Sequence, residues 1–352
     1  MHITHKKQLA IFSLSHLIID FVCFYVLMGS FSGGVKNIAL ISVGFLIYNF
    51  IAFALQVPIG YLADSCNIPY VYFAVFGCFL VAAGATPPLF SWIKLLLCAF
   101  GNAFFHVGGG IDSLVHADGK FARSGIFIAF GAVGVSLGTL AATSGLLSAW
   151  AVMLLPLVCI ITLLFCRQNH FSLGTFFDFA PSYIKGTDFV IYISAIGIII
   201  RAIVGAYMPV PWKSTVFLTV LPSICVFAGK FFGGFLADRF GARRVTVVSL
   251  LISAPLLSFF TGNILLCCAG LFFFNVTTSV TLCVIVSKLP NNPGFGFGIT
   301  TLALFTGTAF SFFVAMSPVM RPYLLLAFIL IAVACMLLTA SDKRRNIDDT
   351  AV

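Results

Sequence analysis

Two stretches of the sequence share one five-residue pattern. The stretch "GGFLADRFGARR" occupies residues 233–244, and "GYLADSCNIPY" occupies residues 60–70. Both contain Gly-x-Leu-Ala-Asp, and each lies between two long apolar runs. A short pattern that recurs at corresponding places in the two halves of an apolar chain indicates an internal repeat. We therefore interpret the two stretches as equivalent loops of two related halves.

The composition around these loops is that of a membrane protein. Of the 352 residues, 61% are hydrophobic and 8% are charged, and the mean hydropathy is +1.13. Soluble proteins carry about 25% charged residues, so a soluble fold is excluded. The apolar runs are continuous and do not alternate with polar residues, which favours spanning helices over the strands of a membrane barrel. The sequence thus predicts an all-α polytopic membrane protein.

The apolar runs predict twelve transmembrane helices in two six-helix, pseudo-symmetric halves. In order, the runs lie near residues 8–29, 37–63, 70–88, 91–117, 122–145, 148–166, 188–209, 213–237, 244–261, 263–287, 295–316 and 321–340. They give an N-terminal half at 1–166, a cytoplasmic linker at 167–187, a C-terminal half at 188–340 and a cytoplasmic tail at 341–352.

Lysine and arginine predict the orientation of the chain. With the N-terminus inside, thirteen of these residues fall on the cytoplasmic side and four on the other. This asymmetry follows the positive-inside rule, so we expect both termini in the cytoplasm and a multi-pass protein of the cytoplasmic membrane. The net charge of +9 is therefore a topology signal, and no nucleic-acid partner is expected. The first apolar run is too long for a cleaved signal peptide, so we expect a retained span.

Polar and ionisable side chains interrupt several of the predicted spans. His16 and Asp20 are four residues apart, a spacing that puts both on one face of a helix. Ionisable residues inside spans are costly and usually functional, so we expect this pair to carry a coupling proton or to contact solute. The alternative is a satisfied pair that fastens the first span to a neighbour. Further candidate cavity residues are Asn49, Gln56, Asn102, His106, Arg201, Asn275 and Thr278.

The repeated loop resembles the signature of the major facilitator superfamily, commonly written G-x-L-A-D-R-x-G-R-R. The resemblance implies two six-helix halves that work by alternating access, with spans 1, 4, 7 and 10 around a central cavity. It also implies that the signature residues act on a cytoplasmic gate. The candidate gating residues are Asp64, Asp112, Asp238, Arg239, Arg243 and Arg244. Ser65 and Asn67 depart from the signature in the first copy, so we expect a weaker charge network there.

Three further stretches, "SHLIID", "FFHVGG" and "GAVGVSLGT", resemble the fosmidomycin-resistance branch of that superfamily. That branch tends to have prolines in spans 4 and 5, where this sequence has Val107 and Thr139. The proline-containing antiporter motif of span 5 and the span-4 arginine of many proton-coupled members are also absent. The sequence therefore leaves the branch and the direction of transport open.

The sequence favours transport over catalysis. It contains no Glu, no phosphate-binding loop and no nucleophile elbow, so we expect no enzyme, cofactor or metal. The expected function is secondary active transport of a small organic solute, by proton-coupled efflux. The alternatives are proton-coupled uptake of an organic anion and a non-transporting sensor. Arg201 is then either a fixed partner for Asp20 or the anchor of an anionic solute. We expect the lipid bilayer, protons and solute as partners, and a monomer.

Overall fold

The computed structural model describes residues 4–66, 68–166 and 186–341. These residues form twelve apolar helical segments. In chain order they are α1 (His5–Gly34), α2 (Ile38–Ser65), α3 (Tyr70–Gly84), α4 (Ser91–Val115), α5 (Phe121–Ser144), α6 (Ala149–Leu164), α7 (Thr187–Tyr207), α8 (Val216–Phe240), α9 (Ala242–Phe259), α10 (Ile264–Val286), α11 (Pro293–Phe313) and α12 (Arg321–Thr339). Ten are long and apolar enough to cross a membrane, and α3 and α6 are shorter apolar helices. The predicted helical class and the twelve segments are confirmed.

The helix ends follow from local sequence. Asn37 and Thr215 cap α2 and α8, because their side-chain oxygens accept hydrogen bonds from backbone amides of the first turn. Gly145 ends α5 in the left-handed conformation at φ +65°, and Gly241 separates α8 from α9 at φ +96°. Glycine adopts these positive φ values without steric cost. The expected linker and tail lie almost wholly outside the described residues, as does Asn67.

Two helices contain a wider π-helical turn. It covers Val26–Phe31 in α1 and Phe50–Ala54 in α2. A π turn adds one residue to the helix, so it rotates every later side chain by about 100° relative to a regular helix. Residues on the two sides of the π turn in α2 therefore do not share the face that regular helical spacing would give them.

The packing of the first half recurs in the second. In the first half, α1 packs on α5, and α3 packs on both α4 and α6. In the second half, α7 packs on α11, and α9 packs on both α10 and α12. Between the halves, α5 packs on α8 and α2 packs on α11. These last two pairs exchange when one half is superposed on the other, as a pseudo-two-fold axis requires. The helices thus form two equivalent bundles that enclose a space along this axis.

Candidate functional site

The cluster formed by His16, Asp20, Asn102 and His106 lies between α1 and α4. His16 Nε2 is 3.2 Å from Asp20 Oδ2, and His106 Nε2 is 3.7 Å from Asp20 Oδ1. Asn102 Nδ2 donates a 2.8 Å hydrogen bond to the same Oδ1. All four side chains are buried. The four-residue spacing of His16 and Asp20 predicted their contact, and the fold adds His106 and Asn102 from another helix.

Backbone carbonyls fix the tautomers of both histidines. His16 Nδ1 is 2.8 Å from the Phe127 carbonyl oxygen, and His106 Nδ1 is 2.8 Å from the Asn102 carbonyl oxygen. A carbonyl oxygen only accepts hydrogen bonds, so each Nδ1 must carry a proton. In a neutral imidazole the Nε2 atom is then an acceptor, and each Nε2 faces the Asp20 carboxylate. Two acceptors 3.2 Å apart repel each other, so the arrangement of His16 and Asp20 favours a shared proton or a bound cation between them.

The same three ionisable residues could also hold a metal ion. His16, Asp20 and His106 each offer a ligand atom, and these atoms lie within 4.8 Å of one another. Two imidazoles and one carboxylate are a common ligand set for transition metals. Elsewhere among the described residues no second group of this kind occurs.

The cluster faces a central cavity of about 630 Å³. The cavity is lined by residues of α1, α4, α7 and α10, as the family resemblance implies, and by residues of α2, α5, α8, α9 and α11 as well. Among the predicted cavity residues, His106, Arg201, Asn275 and Thr278 line it. Asn102, which was also predicted to line the cavity, is not among the lining residues. Its side chain instead donates a hydrogen bond to Asp20.

Asn49 and Gln56, which were predicted to face the cavity, are not among the residues that line it. Asn49 Nδ2 donates to the Phe45 carbonyl 2.7 Å away, and Gln56 Nε2 donates to the Ala52 carbonyl 2.5 Å away. Both acceptors belong to α2 itself. The π turn at Phe50–Ala54 lies between the two residues.

Arg201 lies about two thirds of the way along α7 and is held by neutral groups. Its guanidinium donates to the Thr278 hydroxyl at 3.0 Å, with longer contacts of 3.4 Å to the Thr281 hydroxyl and the Phe274 carbonyl. It also lies 5.2 Å from the centroid of the Phe274 ring. The Nε atom is buried without a hydrogen-bond partner. Arg201 forms no ion pair with Asp20, whose recorded ion pairs are to the two histidines.

Lys230 is a cavity residue that the sequence analysis missed. It lies on α8, only eight residues before Asp238 of the signature loop. In the structure it lines the cavity, within electrostatic range of Asp20 and Arg201. No described residue makes a hydrogen bond or a salt bridge with its ammonium group.

The two signature aspartates cap helices of the opposite half. The Asp64 carboxylate accepts hydrogen bonds from the Gly294 and Phe295 amides of α11, at 2.9 and 2.8 Å. Equivalently, Asp238 accepts from the Phe121 and Ala122 amides of α5, at 2.9 and 3.0 Å. An anion at a helix N-terminus satisfies free amides and interacts favourably with the helix dipole. The two caps fasten the halves together at one end of the bundle, which we call the motif side.

The signature glycines allow this close approach. A Cβ atom at Gly60 would overlap the backbone of Gly294, and one at Gly234 would overlap the backbone of Phe121 and Ala122. Each glycine therefore lets the two halves meet at backbone distance, one turn before the aspartate that caps the facing helix. Of the signature arginines, Arg239 and Arg244 are exposed and Arg243 is half-buried, and Arg239 lies over the Phe240 ring.

Asp112 forms a separate buried network within the first half. Its Oδ1 atom accepts from Gln8 Nε2 at 2.5 Å and from the Tyr70 hydroxyl at 3.3 Å. His116 Nδ1 is 3.3 Å from Oδ1, and Arg123 is 3.8 Å from Oδ2. These contacts join α1, α3 and α5 to α4, and they lie beside the α5 terminus that Asp238 caps. Asp112 thus supports the motif side from within one half and makes no described contact across the halves.

Comparisons with known proteins agree with this architecture. The crystal structure of a variant of the E. coli fucose:proton symporter FucP matches with a TM-score of 0.68, over 96% of this chain and 98% of that one, at 14% identity. A structure of FucP, described as a major facilitator superfamily transporter in the outward conformation, matches with a TM-score of 0.61, over 92% and 97%, also at 14% identity. No protein-family model and no curated protein sequence matches the chain.

The chain is a multi-pass membrane protein with the major facilitator fold. The twelve segments, the exchanged helix pairs and the duplicated caps all agree with this class. The comparisons do not support the fosmidomycin-resistance branch that the three stretches suggested.

Gly131 offers a local test of the cluster. A Cβ atom at Gly131 would overlap Asp20 Oδ2 and His16 Nε2, whereas one at Gly205, also on the cavity wall, would meet open space. We expect Gly131→Ala to displace the His16–Asp20 pair and to reduce solute flux at least tenfold, and Gly205→Ala to leave it within about twofold. Flux per folded molecule is the measurement. Equal fluxes in the two variants would show that the exact position of the pair is unimportant.

Proposed function

We propose that the protein is a secondary active transporter that couples the movement of a small organic solute to protons by alternating access. The proposal is carried by the acceptor atoms of His16, Asp20 and His106, which face one another at the cavity wall and which a shared proton would stabilise. Loss of that proton would leave repelling acceptors in a buried site. The cluster would then have to rearrange, which links protonation to the shape of the cavity.

Helix packing connects this proton site to a contact between the two halves. His16 and Asp20 belong to α1, which packs on α5, and the N-terminus of α5 is capped by Asp238 of the other half. A shift of α1 is therefore transmitted to a contact that holds the halves together. FucP, which has the same fold, is a fucose:proton symporter, and this agrees with proton coupling here.

The expected topology places the motif side in the cytoplasm. The cavity extends toward the other side, where Met208, Val210 and Lys213 line it. In that orientation the described conformation has its cytoplasmic side closed by the Asp64 and Asp238 caps. Solute would then enter from, or leave to, the outside. We keep proton-coupled efflux as the first hypothesis and proton-coupled uptake of an organic anion as the second.

Proteoliposomes test the proposal directly. With an imposed pH difference of one unit, a transporter that couples one proton to each solute can drive about tenfold accumulation, since 1.4 kcal/mol corresponds to a factor of ten. The sign of the accumulation distinguishes symport from antiport. A protein that binds solute but never accumulates it, at any gradient, would instead be a sensor.

A further inference from the structure

The charges around the cavity are divided between the two halves. Among the described residues that line it, Asp20 is the acid of the first half, while Arg201, Lys213 and Lys230 are cations of the second half. Asp20 is already engaged, because Asn102 and His106 contact its Oδ1 atom and His16 contacts its Oδ2 atom. The second half therefore presents positive charge that Asp20 does not neutralise.

Arg201 and Lys230 are both cations without an acidic partner among the described residues. An ionised side chain inside the membrane region is costly, and it usually pairs with an acid or faces an ion pathway. Arg201 is buried, and it is positioned by Thr278 and Phe274, which are neutral and do not compensate its positive charge. Its Nε–H has no acceptor, and neither has the Lys230 ammonium within the described chain.

We propose that Arg201 and Lys230 bind the anionic head group of the transported solute. Both residues line the cavity and lie within electrostatic range of each other, so an anion in the cavity would pair with both cations through charge-assisted hydrogen bonds, which are roughly twice as strong as neutral ones. The inference rests on the proposed transport function, because it names the class of solute which that function would move. Arg201 was considered either as a fixed partner for Asp20 or as the anchor of an anionic solute. The inference favours the second role, because an anion anchor needs no contact with Asp20.

The rest of the cavity favours an organic anion over an inorganic one. A volume of about 630 Å³ lies within the usual range for sites that bind small organic molecules, ~300–1,000 Å³. Phe53, Ile128 and Phe297 line it together with hydroxyl and amide groups. The expected ligand therefore carries one carboxylate, sulfonate or phosphonate group on a small body that is apolar or weakly polar.

The test measures thermal unfolding of the purified full-length protein in detergent at one pH. The probes are two matched series, with a benzyl or a pentyl body that carries a carboxylate, a sulfonate, a phosphonate, a carboxamide or an ammonium group. We expect at least one anionic head group to raise the unfolding midpoint, while the carboxamide and ammonium compounds do not. The preferred anion identifies the head group.

Charge-removing variants then locate the site. Arg201→Gln and Lys230→Met should each weaken the apparent affinity for the protecting anion at least tenfold, with the ligand-free midpoint unchanged or raised. Lys213→Gln, which removes an exposed cation at the cavity mouth, should change the affinity less than threefold. The inference is overturned if no anion protects, if the neutral compounds protect equally, or if both site variants bind as tightly as the parent.

The outcome is separable from that of the transport proposal, because binding is measured without a gradient. Anion binding in a protein that never accumulates solute would retain the site and reject coupled transport. Gradient-driven transport that neither Arg201→Gln nor Lys230→Met alters would retain coupled transport and reject the anion site.

Discussion

The Asp20→Asn variant is expected to lose gradient-driven accumulation of solute completely, so that the accumulation ratio falls to about 1. Binding of solute and exchange of solute across the membrane should survive. The reason is geometric, because an Asn amide can donate to the unprotonated Nε2 of His16, which the carboxylate faces at 3.2 Å. The variant therefore satisfies the cluster without the proton that the native pair requires.

The measurement is flux per folded molecule in proteoliposomes, with and without an imposed pH difference. A chelator in every buffer keeps metal ions out of the cluster. The control is Asp188→Asn, which makes the same chemical change at an exposed position at the start of α7 and should accumulate solute as the parent does. Full accumulation by well-folded Asp20→Asn would mean that the pair only fastens helices together.

The second large effect is expected at the motif side. Asp64→Asn combined with Asp238→Asn should open that side and lower transport several-fold while insertion stays intact. Each native carboxylate accepts two amide hydrogen bonds, and hydrogen bonds to charged groups contribute about 1.5–3 kcal/mol each. Loss of even 3 kcal/mol changes a two-state equilibrium roughly 150-fold. The single variants should show smaller shifts of the same sign.

Hydrogen exchange reports this change directly, because the capped amides themselves become unprotected. Peptides that contain Phe121 and Ala122 should exchange faster in Asp238→Asn, and those with Gly294 and Phe295 faster in Asp64→Asn. Asp118→Asn is the matched control, since Asp118 is exposed next to α5 and has a positive φ of 49°, which Asn tolerates. Unchanged exchange in the double variant would contradict a gating role for the caps.

The two caps are alike although the two copies of the signature differ. Ser65 and Asn67 replace signature residues of the first copy, and the weaker charge network expected in that half stays a prediction. Asp64 nevertheless makes the same pair of cross-half hydrogen bonds as Asp238, at matching distances. The contact depends on a glycine and an aspartate one turn apart, and both copies keep them.

The sequence alone determined the helical membrane class, the twelve segments, the repeat and the contact between His16 and Asp20. These features depend on composition or on spacing along one helix, and both can be read from neighbouring residues. It also identified His106 and Arg201 as buried ionisable residues, since a charge within an apolar run is conspicuous whatever surrounds it.

Only the tertiary structure decided which side chains meet across helices. Asn102 joins Asp20 from α4, Lys230 enters the cavity from α8, and each signature aspartate caps a helix of the other half. Asn49 and Gln56, which stand on either side of the π turn of α2, are not among the residues that line the cavity. Such contacts depend on the rotation and packing of whole helices, because residues far apart in sequence are brought together only when both halves close around the same axis.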